Sequence, residues 1–171
     1  MRITVRHLDP YPLTFAVARG TGLPEGAMAR AAARAAVAAR RTTAALVTVS
    51  LSHRGGRGAA ALAPLGMRVG VDLERTGTVP PARERFFATG AERQGRRCPR
   101  DGAVLWALKE AAWKAFRCPP GLAFTDLELE FGRCGDVEGV TIEGCHRPAR
   151  SRIRRPWPGW VLALVWGAED A

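Results

Sequence analysis

Proline and glycine punctuation divides this chain so finely that only two stretches are long enough to fold as substantial helices. Asp9-Pro10 and Pro12 interrupt the first apolar segment, Gly55-Gly56 marks a tight turn, and Pro80-Pro81 and Pro119-Pro120 close two later segments. Proline removes a backbone donor and fixes φ, so no regular element should run through those points. The first helical stretch is alanine-rich and runs from Pro24 to Arg41; the second covers residues 101–116, with Asp101 placed to cap its first turn. Shorter helical pieces are predicted at residues 84–87 and 90–96. The rest reads as strands. Residues 3–5 and 13–18 come first, and then Val47, Val49 and Leu51 alternate with Thr48 and Ser50 to begin a meander continued by 59–62 and 69–73. Strands at 127–131, 137–142 and 160–165 follow the second helix. The fold class is therefore α/β in the broad sense (α+β), with the order strand, helix, three strands in the second half and a similar order in the first.

Composition narrows the setting. No apolar run reaches the ~18 to 20 residues of a membrane span, and no basic stretch followed by an apolar one opens the chain. A cytoplasmic protein with no membrane partner is expected. Cys98, Cys118, Cys134 and Cys145 show no Cys-x-x-Cys spacing, which points to reduced thiols. The formal charge of +10 favours an anionic partner. No zinc finger, RNA-recognition signature or basic heptad helix accompanies it, so nucleic acid is not the expected one.

Two lysines, Lys109 and Lys114, stand against twenty-four arginines, and both fall in Trp106-Ala-Leu-Lys-Glu-Ala-Ala-Trp-Lys-Ala-Phe116. An ammonium suits a single phosphate oxygen in a crowded site, where the planar guanidinium fork does not fit equally well. Trp106, Glu110 and Lys114 recur every four residues and share one helix face. Gly70-Val71-Asp72-Leu73-Glu74 puts two carboxylates on one face of a strand, with Val71 and Leu73 turned to the core. A third carboxylate from the helix, Glu110, would complete a hard oxygen site of the kind magnesium uses beside phosphates. Ser50-Leu51-Ser52-His53 ends a strand at a glycine turn, where an anion can approach the backbone closely. Each feature alone has a plain structural alternative: solvated strand-end acids, an i,i+4 surface pair, a satisfied polar histidine.

In this order and spacing the three elements resemble the 4′-phosphopantetheinyl transferases of the Sfp type. That family shows Ser-x-Ser-His before a glycine, Gly-(Val/Ile)-Asp-x-Glu, and, some thirty residues on, Trp-x-x-Lys-Glu-Ala-x-x-Lys. Phe86-Phe87 with Glu92, and Gly121-Leu122-Ala123-Phe124, match its linker and the segment after its catalytic helix, so the resemblance covers residues 47–166. The trimeric holo-acyl-carrier-protein synthases separate their two acids along the chain and lack the Ser-x-Ser-His element. The resemblance implies two pseudo-symmetric lobes, a shortened N-terminal one over residues 1–68 and a C-terminal one over 69–171, with coenzyme A in the cleft between them. Asp72, Glu74 and Glu110 would hold magnesium, for which manganese could substitute. Lys114 would contact the pyrophosphate and Lys109 would line the same region. His53, with Ser52, would meet the 3′-phosphate, assisted by Arg40, Arg41 or Arg54. The implied activity moves the phosphopantetheine arm of coenzyme A to a serine of an apo acyl or peptidyl carrier protein and releases 3′,5′-ADP, with Glu110 and Lys114 as catalytic residues. It would serve polyketide, nonribosomal peptide or fatty-acid biosynthesis, and the protein would act as a monomer. The alternative is a non-catalytic basic binding protein of the same fold.

Overall fold

The computed structural model describes residues 1–24, 26–39, 47–95 and 99–169. Arg40, Arg41, Arg96 and Cys98 lie outside the described residues, and so do the readings that rest on them. The elements run β1 (Arg2–Leu8), β2 (Leu13–Arg19), α1 (Ala27–Ala39), β3 (Val47–Arg54), β4 (Arg57–Pro64) and β5 (Met67–Arg75). A 3-10 turn at Pro81–Phe86 and the short α2 (Gly90–Gln94) then lead to α3 (Gly102–Ala115). The chain ends in β6 (Leu127–Phe131), β7 (Val137–Ile142), β8 (Cys145–Pro148), β9 (Arg150–Arg154) and β10 (Trp160–Ala168).

The mixed class is as expected, but the element count is not. The first half places two strands before its helix and two after it, and the second half follows its helix with five strands. β8 and β9 have the sequences Cys-His-Arg-Pro and Arg-Ser-Arg-Ile-Arg. Neither carries the alternation of apolar and polar residues that marks a strand, because hydrogen bonding to β7 and β10 holds them in place. The boundary placed at residue 68 falls inside β5, since the turn that separates it from β4 lies at Leu65-Gly66.

All three sheets are antiparallel, with strand orders β1-β2-β4-β3, β5-β10-β9 and β6-β7-β8. Period-two alternation assigns each strand's side chains to two separate cores. Phe15, Val17, Ala59, Ala61 and Ala63 of the first sheet meet Val69, Val71, Leu162 and Leu164 of the second. On the reverse face of the first sheet Ala16, Ala18, Ala60 and Leu62 receive α1. On the reverse face of the second, Val161, Ala163 and Val165 receive α3, which also packs against β6 and β7. The small residues of β4 and α1 let helix and sheet approach closely, and Pro119-Pro120 lies just past α3 as the sequence requires. At the β3–β4 hairpin Gly55 and Gly56 have φ of 51° and 70°, the left-handed pair that a two-residue turn between twisted strands needs.

Candidate active site

The site starts from a missing side chain. A Cβ on Gly70 would lie 1.8 Å from the Ala111 carbonyl oxygen and 2.7 Å from the Ala115 nitrogen, so α3 rests directly on the β5 backbone. Two residues further along the same face of β5, the carboxylate of Asp72 emerges beside the helix. α3 is buried around most of its circumference, and only Trp106, Glu110, Trp113 and Lys114 of its last three turns remain partly open. That stripe is the one the i,i+4 spacing assigned. Trp106 and Trp113 stack on Phe124 with ring centroids 4.7 and 4.6 Å apart, which leaves Glu110 and Lys114 to face Asp72.

Lys114 Nζ donates to Asp72 Oδ1 at 2.6 Å and to the Val71 carbonyl at 3.2 Å, and lies 3.3 Å from Glu110 Oε2. Asp72 is 2% exposed. Its Oδ2 is buried and receives no hydrogen bond among the described residues, in a place where such atoms normally find a partner. Burial, and next the charge of Asp72, push the Glu110 carboxyl up to about 7 against the pull of Lys114. Two carboxylates are thus held closer together than one ammonium can compensate.

Glu74 departs from its expected place. It projects from the same face as Asp72, but its carboxylate accepts from Arg54 Nη1 through both oxygens. Burial first, and Asp72 second, raise its pKa, with Arg54 opposing. Among the described residues no three carboxylates, histidines or cysteines are gathered as a metal cluster. The expected set of Asp72, Glu74 and Glu110 is therefore present as a pair, with Glu74 drawn off by a guanidinium. The same contact takes Arg54 away from the phosphate role given to it.

Ser52 also needs correction. Its hydroxyl donates to Asp72 Oδ1 at 2.9 Å and accepts from the Leu73 amide at 3.1 Å, while Ser50 Oγ accepts from the Val71 amide at 3.0 Å. Both serines are buried. They lie on β3, whose outer edge faces β5 without a backbone ladder, and their hydroxyls supply the acceptors that a neighbouring strand would have offered. Ser52 thus orients the carboxylate of Asp72. The Ser-x-Ser alternation beside Val49 and Leu51 carried this signal, because a polar residue repeated on the buried face of an edge strand needs polar partners.

Lys109 is the largest correction. It is fully buried, and its Nζ donates to Glu92 Oε2 at 2.7 Å, away from Lys114. The same carboxylate accepts from the Thr89 amide at 2.7 Å and from the Leu129 amide at 2.8 Å. Five residues of helix turn Lys109 about 140° from Lys114, so the two cannot line one region. Lys109 joins α2, α3 and β6 from within.

His53 does reach a site suited to anions. A cavity of about 470 Å³ lies between His53, Arg54 and Arg57 on one side and Gly20, Gly22 and Gly26 on the other. A Cβ on Gly26 would stand 3.0 Å from Arg30 Nη1 and 3.6 Å from the His53 ring, so both side chains converge on the start of α1. The Nε of Arg57 is buried there without an acceptor, and its guanidinium rests 4.3 Å from the Trp160 ring centroid. A second cavity, of about 610 Å³, opens on the other side of β3 between Val49, Leu51, Leu65 and Lys114.

The pair around Asp72 fits a hard divalent cation held by few protein oxygens: a buried oxygen with no donor among the described residues, and a second carboxylate whose proton affinity is raised by burial and next by the charge of the first. No protein-family model matches this chain, and no curated protein matches it.

Proposed function

We propose that this chain is a 4′-phosphopantetheinyl transferase of the Sfp type, which moves phosphopantetheine from coenzyme A to a carrier-protein serine. The observation that carries the reading is the meeting of Asp72, Glu110 and Lys114, drawn from two motifs some forty residues apart, at one end of a strand whose neighbour carries Ser52 and His53. A recurrence in the topology supports the two-lobe fold. β2, α1, β3 and β4 correspond to β5, α3, β9 and β10: in each set the first strand pairs with the last, the third pairs with the last on its other side, and the helix lies on the first pair.

Asp72 and Glu110 would hold magnesium, with Glu74 able to join them if Arg54 releases it, and the cation would supply charge neutralisation on the pyrophosphate. Lys114, already positioned by Asp72, would follow a pyrophosphate oxygen as negative charge grows on it. His53, Arg30 and Arg57 would take the 3′-phosphate at the start of α1. The carrier serine Oγ attacks the β-phosphorus, the bond from that phosphorus to 3′,5′-ADP breaks, and the serine proton passes to a base. Glu110, 3.3 Å from Lys114 Nζ and beside Asp72, stands where it could take that proton when it is not a ligand of the cation.

The deciding experiment mixes the protein with magnesium, coenzyme A and a set of apo carrier proteins, and weighs the carriers intact. A carrier heavier by one phosphopantetheine, with no gain under Asp72→Asn or with chelator present, is the expected result. Carriers left unmodified across the set, while a known transferase modifies them, would overturn the proposal.

A further inference from the structure

The two stacked sheets have a second open edge. Since β3 meets β5 on the carboxylate side, the orders β1-β2-β4-β3 and β9-β10-β5 put β1, β2 and β9 at the opposite side. The second sheet has one strand fewer than the first, so it stops short of covering β1 and β2. In the register of these two strands Thr4 stands opposite Val17 and Arg6 opposite Phe15. Facing them are Arg154 at the end of β9 and the turn that follows it, with Arg155 and Trp157. The cleft so enclosed has a volume of about 410 Å³, within the size range of small-molecule sites.

Its chemistry is one-sided. Arg6, His7, Arg154 and Arg155 line it, and among the described residues no carboxylate does. None of these three arginines forms an ion pair among the described residues, and Arg154 donates only to the adjacent Ile153 carbonyl. A chain rich in arginine scatters such charges over its surface. Here, however, they rim a concavity whose floor is apolar: Phe15 and Val17 are 6% and 7% exposed, and Trp157 is half-buried, packed edge-on to Trp160. Low-dielectric walls strengthen the repulsion among gathered cations and focus their field on an entering anion. Guanidinium forks match phosphate oxygens in pairs, and a tryptophan that is anchored on one side offers a planar ring a surface to stack on.

We infer that this cleft binds a small aromatic phosphate of the nucleoside monophosphate class, at a site separate from the carboxylates. The inference does not depend on the transferase reading, because none of its residues belongs to that site. The cleft is closed below by Phe15 and Val17, so one nucleotide fits its chemistry better than a continuous strand, which needs an open groove.

The test titrates AMP into the full chain with chelator present, read by calorimetry and by tryptophan fluorescence, since Trp157 lies in the wall. Saturable one-site binding is expected, with inorganic phosphate alone and adenosine alone each at least about fivefold weaker, the lower end of what base stacking contributes. Arg154→Glu combined with Arg155→Glu, both at exposed positions, should abolish binding while the circular dichroism spectrum stays that of the wild type. Trp157→Leu should weaken AMP and leave phosphate unchanged. His53→Ala should not alter the affinity for AMP, which separates this cleft from the anion cavity beside α1. Absence of saturable binding would overturn the inference. So would inorganic phosphate binding as tightly as AMP, loss of AMP binding in His53→Ala with retention in the Arg154/Arg155 double variant, or an RNA oligonucleotide binding far more tightly than AMP through these same arginines.

Discussion

Lys109 and Lys114 differ in what surrounds them, and the difference can be measured. Removing Lys109 as Lys109→Ala leaves the Glu92 carboxylate buried with only backbone donors, and breaking such a pair typically costs about 3–5 kcal/mol. Urea unfolding should show that loss, whereas Lys114→Ala should change stability far less, since Lys114 is 31% exposed and Asp72 keeps the Ser52 hydroxyl. Equal unfolding midpoints for the two variants would contradict the assignment. Ser52→Ala tests the neighbouring contact. It strips a donor from Asp72 and an acceptor from the Leu73 amide, an effect of about 1–3 kcal/mol, and it should lower turnover while the Michaelis constant for coenzyme A holds. A selective rise in that constant would return Ser52 to phosphate binding. At this scale the sequence singled out Asp72, Glu110 and Lys114, which the fold brings together, but did not reveal the partners of Lys109 and Ser52. The retention of two lysines was visible, but Glu92, the partner of Lys109, lies seventeen residues upstream. Its place in a Thr89-x-x-Glu92 capping box gives it the look of an ordinary helix-start residue.

At the scale of elements, the contact of α3 with β5 through Gly70 makes the strongest demand on sequence. A methyl group there must displace the helix backbone, so Gly70→Ala should destabilise the protein by at least the ~1–3 kcal/mol of core overpacking. It should also move Glu110 and Lys114 away from Asp72. Activity that persists with an unchanged unfolding midpoint would show that α3 does not bear on Gly70. The cap at Asp101, whose carboxylate accepts from the Ala103 amide at 3.0 Å, is a milder case: Asp101→Ala should cost about 1 kcal/mol. Both helices were legible, and for α3 its ends as well, because capping, proline stops and the alanine-rich composition are local signals. β8 and β9 were not, because arginine-rich segments become strands only when a neighbour supplies the ladder.

For the molecule as a whole, the burial of Glu74 and Glu110, and next the charge of Asp72 near them, makes stability depend on pH. A carboxyl whose folded pKa is raised binds its proton more tightly when folded, so it favours the native state in acid and loses that contribution as pH rises. For Glu110 the window runs from its ordinary value of 4.5 up to about 7. With chelator present, stability should therefore fall across that window, and Glu110→Gln should flatten the slope. A profile that rises instead, with the same slope in both proteins, would show that the cluster is relieved in solution. The serine contacts between β3 and β5 have a consequence of another kind. Each of these strands ends its own sheet, and a bare strand edge recruits strands from other molecules. By occupying the amides of Val71 and Leu73, Ser50 and Ser52 close the β5 edge against that recruitment. The Ser50→Ala, Ser52→Ala double variant should thus self-associate at concentrations where the parent stays dispersed, a change that light scattering would register, and solubility would rest in part on the same Ser52 hydroxyl that steadies Asp72.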